Sequence, residues 1–468
     1  MAKAQIGIIG IGTMGANLAL NFAENGIGVA AFDIDPEASE TLAKDSERLG
    51  GSIEAFENLG DLANALELPR VVLMMVPAGD AVDGQLDVLT EWLQKGDIVI
   101  DGGNSHFRDT MRRIETAEDH GLHFVGMGVS GGADGARHGP SLMVGGVEDV
   151  WKTLQPLVEA VAAKADDGEP CAKWMGCQGA GHFVKAAHNG IEYADMQMIA
   201  ETYGLMRRGL GLDFDAMAEA FADWNKGVLK SFLIEITSDI LKTDDPKTGK
   251  PVVNVILDRA AQKGTGRWTV MEAQQLAAPQ VVIEAAVTAR VMSSQPKLRA
   301  KAGEVFGAAP NAIPDGNLDV ETLERALIAA RIITYAQGFD LITIASENLD
   351  MEVPLPDVAK VWRAGCIIRC AMLDDMAKAL SEDAKRNIAF APTFEKLLKD
   401  NLPSLRKVVG VGTAHGHAIP ALSAALSWFD MLRTPRSTAD LIQAQRDYFG
   451  HHGFERTDED GDHHGPWA

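Results

Sequence analysis

Residues 6–15 read Ile6-Gly7-Ile8-Ile9-Gly10-Ile11-Gly12-Thr13-Met14-Gly15, a short apolar run leading straight into a G-x-G-x-x-G turn. Continuous apolarity suits a strand covered on both faces, and NLALNFAENG beyond the turn reads as a helix. A lone glycine triplet says little. Between a strand and a helix it has a specific use: the glycines let the chain turn tightly, let backbone approach a pyrophosphate, and let the helix pack on the strand. The helix N-terminus then faces the anion. The alternative is a glycine turn with a structural role only.

Working outward, GVAAF ends in Asp33, 18 residues past Gly15. At the tip of a second strand this carboxylate can accept hydrogen bonds from the adenosine ribose hydroxyls. It would also repel a 2'-phosphate, by about 4 kcal/mol per charge pair at roughly 4 Å and an effective dielectric of about 20, less after solvent screening. Neighbouring Ile34 offers no guanidinium to offset that repulsion. The stretch FDIDPE therefore reads as selection for NAD over NADP. Asp35, followed by Pro36, reads as an ordinary helix N-cap with proline at the first helical position.

The first 180 residues alternate such runs with helical stretches. IGIIG, GVAAF, RVVLMMV, DIVIDGG and LHFVGMGV read as buried strands, implying a parallel, doubly wound sheet. Past Gly181 the pattern turns to long 3.6-residue periods, as in DLITIASE and ALSAALSWFDML. The expected architecture is an α/β Rossmann-like domain over 1–178, an all-helical domain over 179–434 and a C-terminal tail over 435–468. The tail, ending HHGFERTDEDGDHHGPWA, is polar and reads as extended unless another surface ties it down. A weak echo links Ile191-Glu192-Tyr193-Ala194 to Ile333-Thr334-Tyr335-Ala336, 142 positions later. In the second copy Leu327, Ala330, Arg331 and Thr334 replace Lys185, His188, Asn189 and Glu192, a mostly bland set.

With 468 residues and 46% of them apolar, the chain can fill two or three cores. Its 43 basic and 66 acidic side chains give a formal charge of -23, a field that repels nucleic acid and anionic membranes. An anionic ligand must then meet a local cationic pocket. No run comes near the roughly 18 uncharged apolar residues of a membrane span. The best candidate, APQVVIEAAVTARVM, carries Glu284 and Arg290. Cys171, Cys177, Cys366 and Cys370 form no CxxC knuckle and fit a reducing, cytoplasmic setting without zinc. His415, His417, His451, His452, His463 and His464 enrich the C-terminal end, where a solvated tail is a commoner origin than a metal site.

The segment GAGHFVKAAHNGIEYADMQ places Lys185, His188, Asn189 and Glu192 at i, i+3, i+4 and i+7. On a helix these four share an arc of roughly 100°, with Tyr193 at its edge. A solvated face is the ordinary origin of a polar stripe. This one combines an amine, an imidazole, an amide and a carboxyl group, with a phenol beside them. A second dense stretch, GMGVSGGADGARHGPSLMVGG, holds eight glycines in residues 126 to 146. So many glycines let backbone N–H groups converge on an anion, a flexible linker being the alternative. Lys263, Arg290, Arg446 and His452 are further cationic candidates, each singly no more than a surface charge.

Taken together, DGGNSHFRDTMRR, GVSGGADGARHGPSLMVGG, GAGHFVKAAHNGIEYADMQ, WNKGVLKSFLIEIT, QKGTGRWT and LIQAQRDYFG resemble the decarboxylating 6-phosphogluconate dehydrogenases of the pentose phosphate pathway. The resemblance runs from the glycine fingerprint to the tail. It implies a homodimer or dimer of dimers with shared active sites, each tail reaching into its partner, and no nucleic-acid or membrane partner. By position, Gly10, Ile11, Gly12, Thr13, Met14, Gly15, Asp33, Ile34, Val76, Pro77, Ala78 and Asn104 would hold the cofactor. Asn104, Ser130, Gly131, Gly132, His188, Asn189 and Tyr193 would hold the sugar acid. Lys263 and Arg290, with Arg446 and His452 from the partner, would hold the phosphate end. Two departures bear on the cofactor. NADP-dependent members carry Asn-Arg-Ser or Asn-Arg-Thr at the second strand's tip and a lysine in a MVKAG segment. This chain has Asp33-Ile34-Asp35 and Met75-Val76-Pro77-Ala78-Gly79.

The implied reaction is oxidative decarboxylation of 6-phosphogluconate to ribulose 5-phosphate and CO2 with reduction of NAD. Lys185 would act as base at the hydroxyl being oxidised, and Glu192 would deliver a proton to C1, with His188 and Asn189 beside them. No metal is required. The alternatives are the same reaction with NADP and a non-decarboxylating β-hydroxyacid dehydrogenase.

Overall fold

A computed structural model describes residues 3–262 and 264–467. Lys263 lies outside the described residues. Strands β1 (Ile6–Ile9), β2 (Val29–Phe32), β3 (Ile53–Ala55), β4 (Val71–Met74), β5 (Ile98–Asp101), β6 (His123–Ser130), β7 (Ser141–Val144) and β8 (Ala172–Trp174) form one sheet. Their order is β3-β2-β1-β4-β5-β6-β7-β8, so the winding reverses at β1. Ligands of such sheets bind beyond the strand ends at that reversal.

The sheet is not wholly parallel, as the sequence suggested. β7 runs antiparallel to β6, pairing Ser130 with Ser141 and Met127 with Val144. Ten residues, 131 to 140, join them, too few for the crossover of about a dozen or more that parallel neighbours need. The glycine-rich stretch is therefore no linker: it is β6, a short helix and β7.

Helices α1 (Thr13–Glu24), α2 (Pro36–Arg48), α3 (Leu59–Ala65), α4 (Asp80–Leu89), α5 (Phe107–Asp119), α6 (Gly132–His138) and α7 (Glu148–Val161) connect the strands. Strand side chains alternate between two cores. Ile6 and Ile8 join Leu18, Phe22 and Leu154 on one face, while Ile9 joins Leu62, Leu86 and Leu89 on the other. Asp35 caps α2 as expected, accepting from the Glu37 N–H at 3.1 Å with Pro36 next to it.

The remainder is helical. α8 (Ala180–Gly204) leads to α9 (Phe214–Trp224), α10 (Phe232–Lys242), α11 (Thr265–Gln275), α12 (Val281–Ser293) and α13 (Pro296–Phe306). Then come α14 (Val320–Asn348), α15 (Leu355–Val361), α16 (Met372–Glu382), α17 (Pro392–Ala414), α18 (Pro420–Leu432) and α19 (Ala439–Gly450). α8 lies against β6, α11, α12 and α14, so its polar stripe falls at the seam between sheet and helices. α14, not the 278–292 stretch, best matches a membrane span by length and composition, yet 83% of its apolar window is buried and it serves as a core helix.

The two helices of the echo, α8 and α14, pack on one another, and the second copy is less bland than its sequence suggested. Arg331, 1% exposed, donates from Nε to Asp195 Oδ1 at 2.9 Å, from Nη1 to Leu229 O at 3.1 Å and from Nη2 to Ser231 Oγ at 2.9 Å. A buried guanidinium needs such complete pairing. The tail departs from the extended form expected of it: α19 is followed by a hairpin of β9 (Phe454–Glu455) and β10 (Asp462–His463).

Candidate active site and cofactor cleft

The glycines of the fingerprint have separate tasks. Gly10 has φ +92°, and a Cβ there would lie 2.8 Å from the Met75 carbonyl oxygen. A Cβ on Gly15 would strike the Gly10 carbonyl oxygen, which is how α1 comes down on β1. Gly12 faces open space and caps α1 without any side-chain bond, leaving N–H groups at the helix start free for an anion. These features fit a dinucleotide's pyrophosphate.

Asp33 sits beside this turn. Its Oδ2 accepts from the Ile11 N–H at 2.5 Å and its Oδ1 from the Asp35 N–H at 2.9 Å. Each oxygen keeps acceptor capacity for a ribose hydroxyl. Ile34 is 88% exposed and brings no cation. A cleft of ~520 Å³ opens past the ends of β1, β4 and β5, bringing together Met14, Val76, Pro77, Ala78 and Asn104 beneath Trp268 of α11.

Four predicted residues of α8 form one network. Lys185 Nζ lies 2.7 Å from Asn189 Oδ1, His188 Nδ1 lies 3.0 Å from the same oxygen, and His188 Nε2 is 3.2 Å from Ser130 Oγ. Asn189 Nδ2 donates to Thr265 Oγ1 at 2.9 Å. One neutral tautomer satisfies the two shorter contacts, with Ser130 donating to Nε2 and Nδ1–H donating to Asn189, while Lys185 Nζ stands 3.4 Å from Nδ1. Glu192 Oε2 is 3.8 Å from His188 Nδ1.

Burial sets the charge states. It pulls the Lys185 amine down to about 8, against the opposing pull of Glu192. His188 is pushed well below the ordinary histidine range by burial and then by Lys185. Glu192 is raised by burial, countered by Lys185 and Arg290. Burial thus shifts both the amine and the carboxyl group toward their neutral forms, the direction an acid–base pair requires.

Tyr193 closes one side. The Arg290 guanidinium lies 3.7 Å above its ring, and a Cβ on Gly266 would press into the ring from α11. On the sheet side, a Cβ on Gly128 would stand 2.5 Å from Lys185 Cβ, so β6 can approach the amine's helix only as glycine. Ser130, Lys185, His188, Asn189, Glu192, Tyr193 and Arg290 are thereby gathered. Gly131 and Gly132 start α6 just beyond Ser130. Arg446 and His452 stay on the exposed tail, where Arg446 donates to Gln443 and His452 meets the edge of Phe449.

Residues 5–176 match the NAD binding domain of 6-phosphogluconate dehydrogenase, and residues 181–467 match the 6-phosphogluconate dehydrogenase C-terminal domain. The chain belongs to the 6-phosphogluconate dehydrogenase family. Within it, the chain is 42% identical over 470 residues to the NADP(+)-dependent decarboxylating 6-phosphogluconate dehydrogenase of Bacillus subtilis, with 100% of each covered. It is 43% identical over 469 residues to that organism's NAD(+)-dependent enzyme, with 99% of each covered. Plasmodium falciparum 6-phosphogluconate dehydrogenase, solved in its apo form and in complexes with NADP+ and with 6-phosphogluconate, superposes with a TM-score of 0.96 at 38% identity over 99% of this chain and 100% of that one.

The family motifs also contain residues that sequence reasoning passed over. In DGGNSHFRDTMRR, Arg113 is fully buried, donating to Asp83 and to the Gly79 carbonyl at 3.0 Å and facing Asp101 at 3.5 Å, so it ties down the loop that borders the cofactor cleft. Arg108 reaches across the seam to Glu272 of α11 at 2.7 Å. Thr265 holds Asn189. The paired arginines closing the motif were the visible signal for Arg113; nothing local marked Thr265 or Glu272, whose partners lie 76 and 164 residues away.

Proposed function

We propose that this chain catalyses the oxidative decarboxylation of 6-phosphogluconate to ribulose 5-phosphate and CO2, using NAD in preference to NADP. The observation that carries the chemistry is the buried Lys185–His188–Asn189 network with Glu192 at its edge. Bound NAD supplies the hydride acceptor. Neutral Lys185 accepts the proton of the hydroxyl undergoing oxidation, and Asn189 holds the amine in place for it. Once protonated, Lys185 stabilises the ketone oxygen, so that electrons released as the carboxylate leaves as CO2 collect there as an enediolate. Glu192, whose carboxyl group burial shifts toward its protonated form, delivers its proton to C1. Ser130, His188, Asn104 and Tyr193 hold the sugar acid. Arg290 and Lys263, joined by Arg446 and His452 of a second copy, hold the phosphate.

Preference for NAD rests on Asp33 and on the exposed Ile34 beside it. Overall identity does not decide it, since NADP(+)-dependent and NAD(+)-dependent relatives stand at 42% and 43%. Initial rates on 6-phosphogluconate, with each cofactor varied to saturation, test both parts. The expected result is turnover with a much larger kcat/KM for NAD. Turnover favouring NADP would overturn the cofactor part alone, and absence of turnover with either would overturn the whole.

A further inference from the structure

Most side chains of the tail are exposed, but Asp447, near the end of α19, is only 1% exposed. Its carboxylate collects four donors. Oδ1 accepts from the Gly453 N–H at 2.9 Å and from His464 Nδ1 at 2.7 Å. Oδ2 accepts from the Gly465 N–H at 2.8 Å and from Trp467 Nε1 at 2.6 Å. Two acceptor positions on each oxygen are thereby filled. These bonds, led by that from Gly465, hold the carboxyl group far below the usual carboxylate range. Around the hub, His451 and His464 stack with centroids 3.6 Å apart, and Trp467 packs on Tyr448 at 5.8 Å.

A second connection runs from the same hub to the neighbouring arginine. Arg446 Nη1 donates to Gln443 Oε1 at 3.1 Å, Gln443 Nε2 donates to the Gly453 carbonyl at 2.6 Å, and Gly453 N–H returns to Asp447. The ring encloses the turn that carries His452. Arg446 and His452 thus belong to one bonded unit, and both side chains remain exposed.

We propose that Asp447 is a positioning residue for phosphate recognition: it folds residues 464–467 back onto the end of α19, so that Arg446 and His452 reach the partner's site as a preformed anion receptor. The inference rests on the reading that those two side chains hold the phosphate. A flexible tail would have to order both groups on each binding event, whereas a preformed pair avoids that cost. Asparagine cannot substitute, because its amide would point a donor at two donors on one side.

The test compares 6-phosphogluconate with unphosphorylated gluconate as substrates for full-length wild type, Asp447→Asn, a chain ending at His463, and Arg446→Ala. Asp447→Asn and the truncation are expected to raise KM for 6-phosphogluconate about tenfold or more while leaving kcat/KM for gluconate and KM for NAD within about twofold. Combining Asp447→Asn with Arg446→Ala should add little to either alone. If Arg446→Ala raises KM for 6-phosphogluconate and Asp447→Asn does not, the positioning role is overturned. If Arg446→Ala leaves that KM unchanged, the underlying phosphate reading fails instead. Equal losses on both substrates would mark Asp447 as a general stabiliser of the tail and also overturn the proposal.

Discussion

Lys185 Nζ lies 2.7 Å from Asn189 Oδ1, one helical turn further along α8. An amide oxygen accepts from an amine and, more strongly, from an ammonium, but it carries no net charge, so it orients Lys185 while biasing its charge far less than a carboxylate does. A carboxylate at the same place would favour the ammonium. The acid limb of kcat/KM for the wild type is expected near pH 8, where the buried amine titrates. In Asn189→Asp that limb should move to higher pH and the rate at pH 7 should fall. A limb that stays put, measured by pH–rate profiles on both proteins, would remove Lys185 as the titrating base.

Lys185→Met is expected to abolish turnover and to stabilise the fold. Burial lowers the folded-state titration of this amine from an ordinary 10.5 to about 8, so the unfolded chain binds the proton more readily between those values. The wild type therefore bears the full cost of the buried ammonium below pH 8, and that cost fades as pH rises toward 10.5. Methionine removes the cost, a gain of order 1–3 kcal/mol at neutral pH that shrinks above pH 8. Thermal midpoints of the two proteins from pH 6 to 10 check the sign.

Glu192→Gln should spare cofactor binding and slow the final proton delivery, lowering kcat by about 10²–10⁴. Its glutamine cannot donate a carboxyl proton, so the rate of solvent-deuterium incorporation at C1 of ribulose 5-phosphate should fall in step. A normal incorporation rate in this variant would assign the proton to another group.

Asp33→Asn combined with Ile34→Arg replaces a repelling charge by an attracting one at the adenosine ribose. The ratio of kcat/KM for NADP over NAD should rise at least about tenfold. Asparagine can still accept from the Ile11 N–H, but its amide then faces the Asp35 N–H that Oδ1 accepted, so a thermal midpoint accompanies the kinetics to separate a disturbed turn from altered cofactor choice. An unchanged ratio would show that the acidic tip does not select the cofactor.

The parts of the fold that could be read in advance were those with one dominant local cause. The glycine turn had a steric reason at Gly10 and Gly15 and open space for a ligand at Gly12, and the α8 stripe obeyed helical spacing. β3 and β8 escaped because each is only three residues long, with no room for a period to show, and β7 because SLMV lies inside the glycine-rich stretch, whose glycines drew the reading toward anion binding. The glycine-rich stretch misled in part: its glycines also serve the contact of β6 and β7 with α8, where Gly128 meets Lys185 and a Cβ on Gly181 would lie 2.6 Å from the Met143 carbonyl oxygen. Arg331 looked bland in sequence because its partner Asp195 is 136 residues away. The tail looked extended because Asp447 and its donors are scattered among exposed polar residues, and only the folded chain brings them together.

The network around Lys185 is drawn almost entirely from one uninterrupted 25-residue helix. Each residue of an α-helix advances the azimuth by about 100°. A single codon gained or lost between Ala180 and Lys185 would therefore swing the amine, the imidazole, the amide and the carboxyl group away from Ser130 together, leaving the chemistry intact but aimed elsewhere. Substitutions along α8 can be sampled one at a time in the course of evolution. Changes in its length cannot, so divergence in chain length must fall on the connections at either end of this helix.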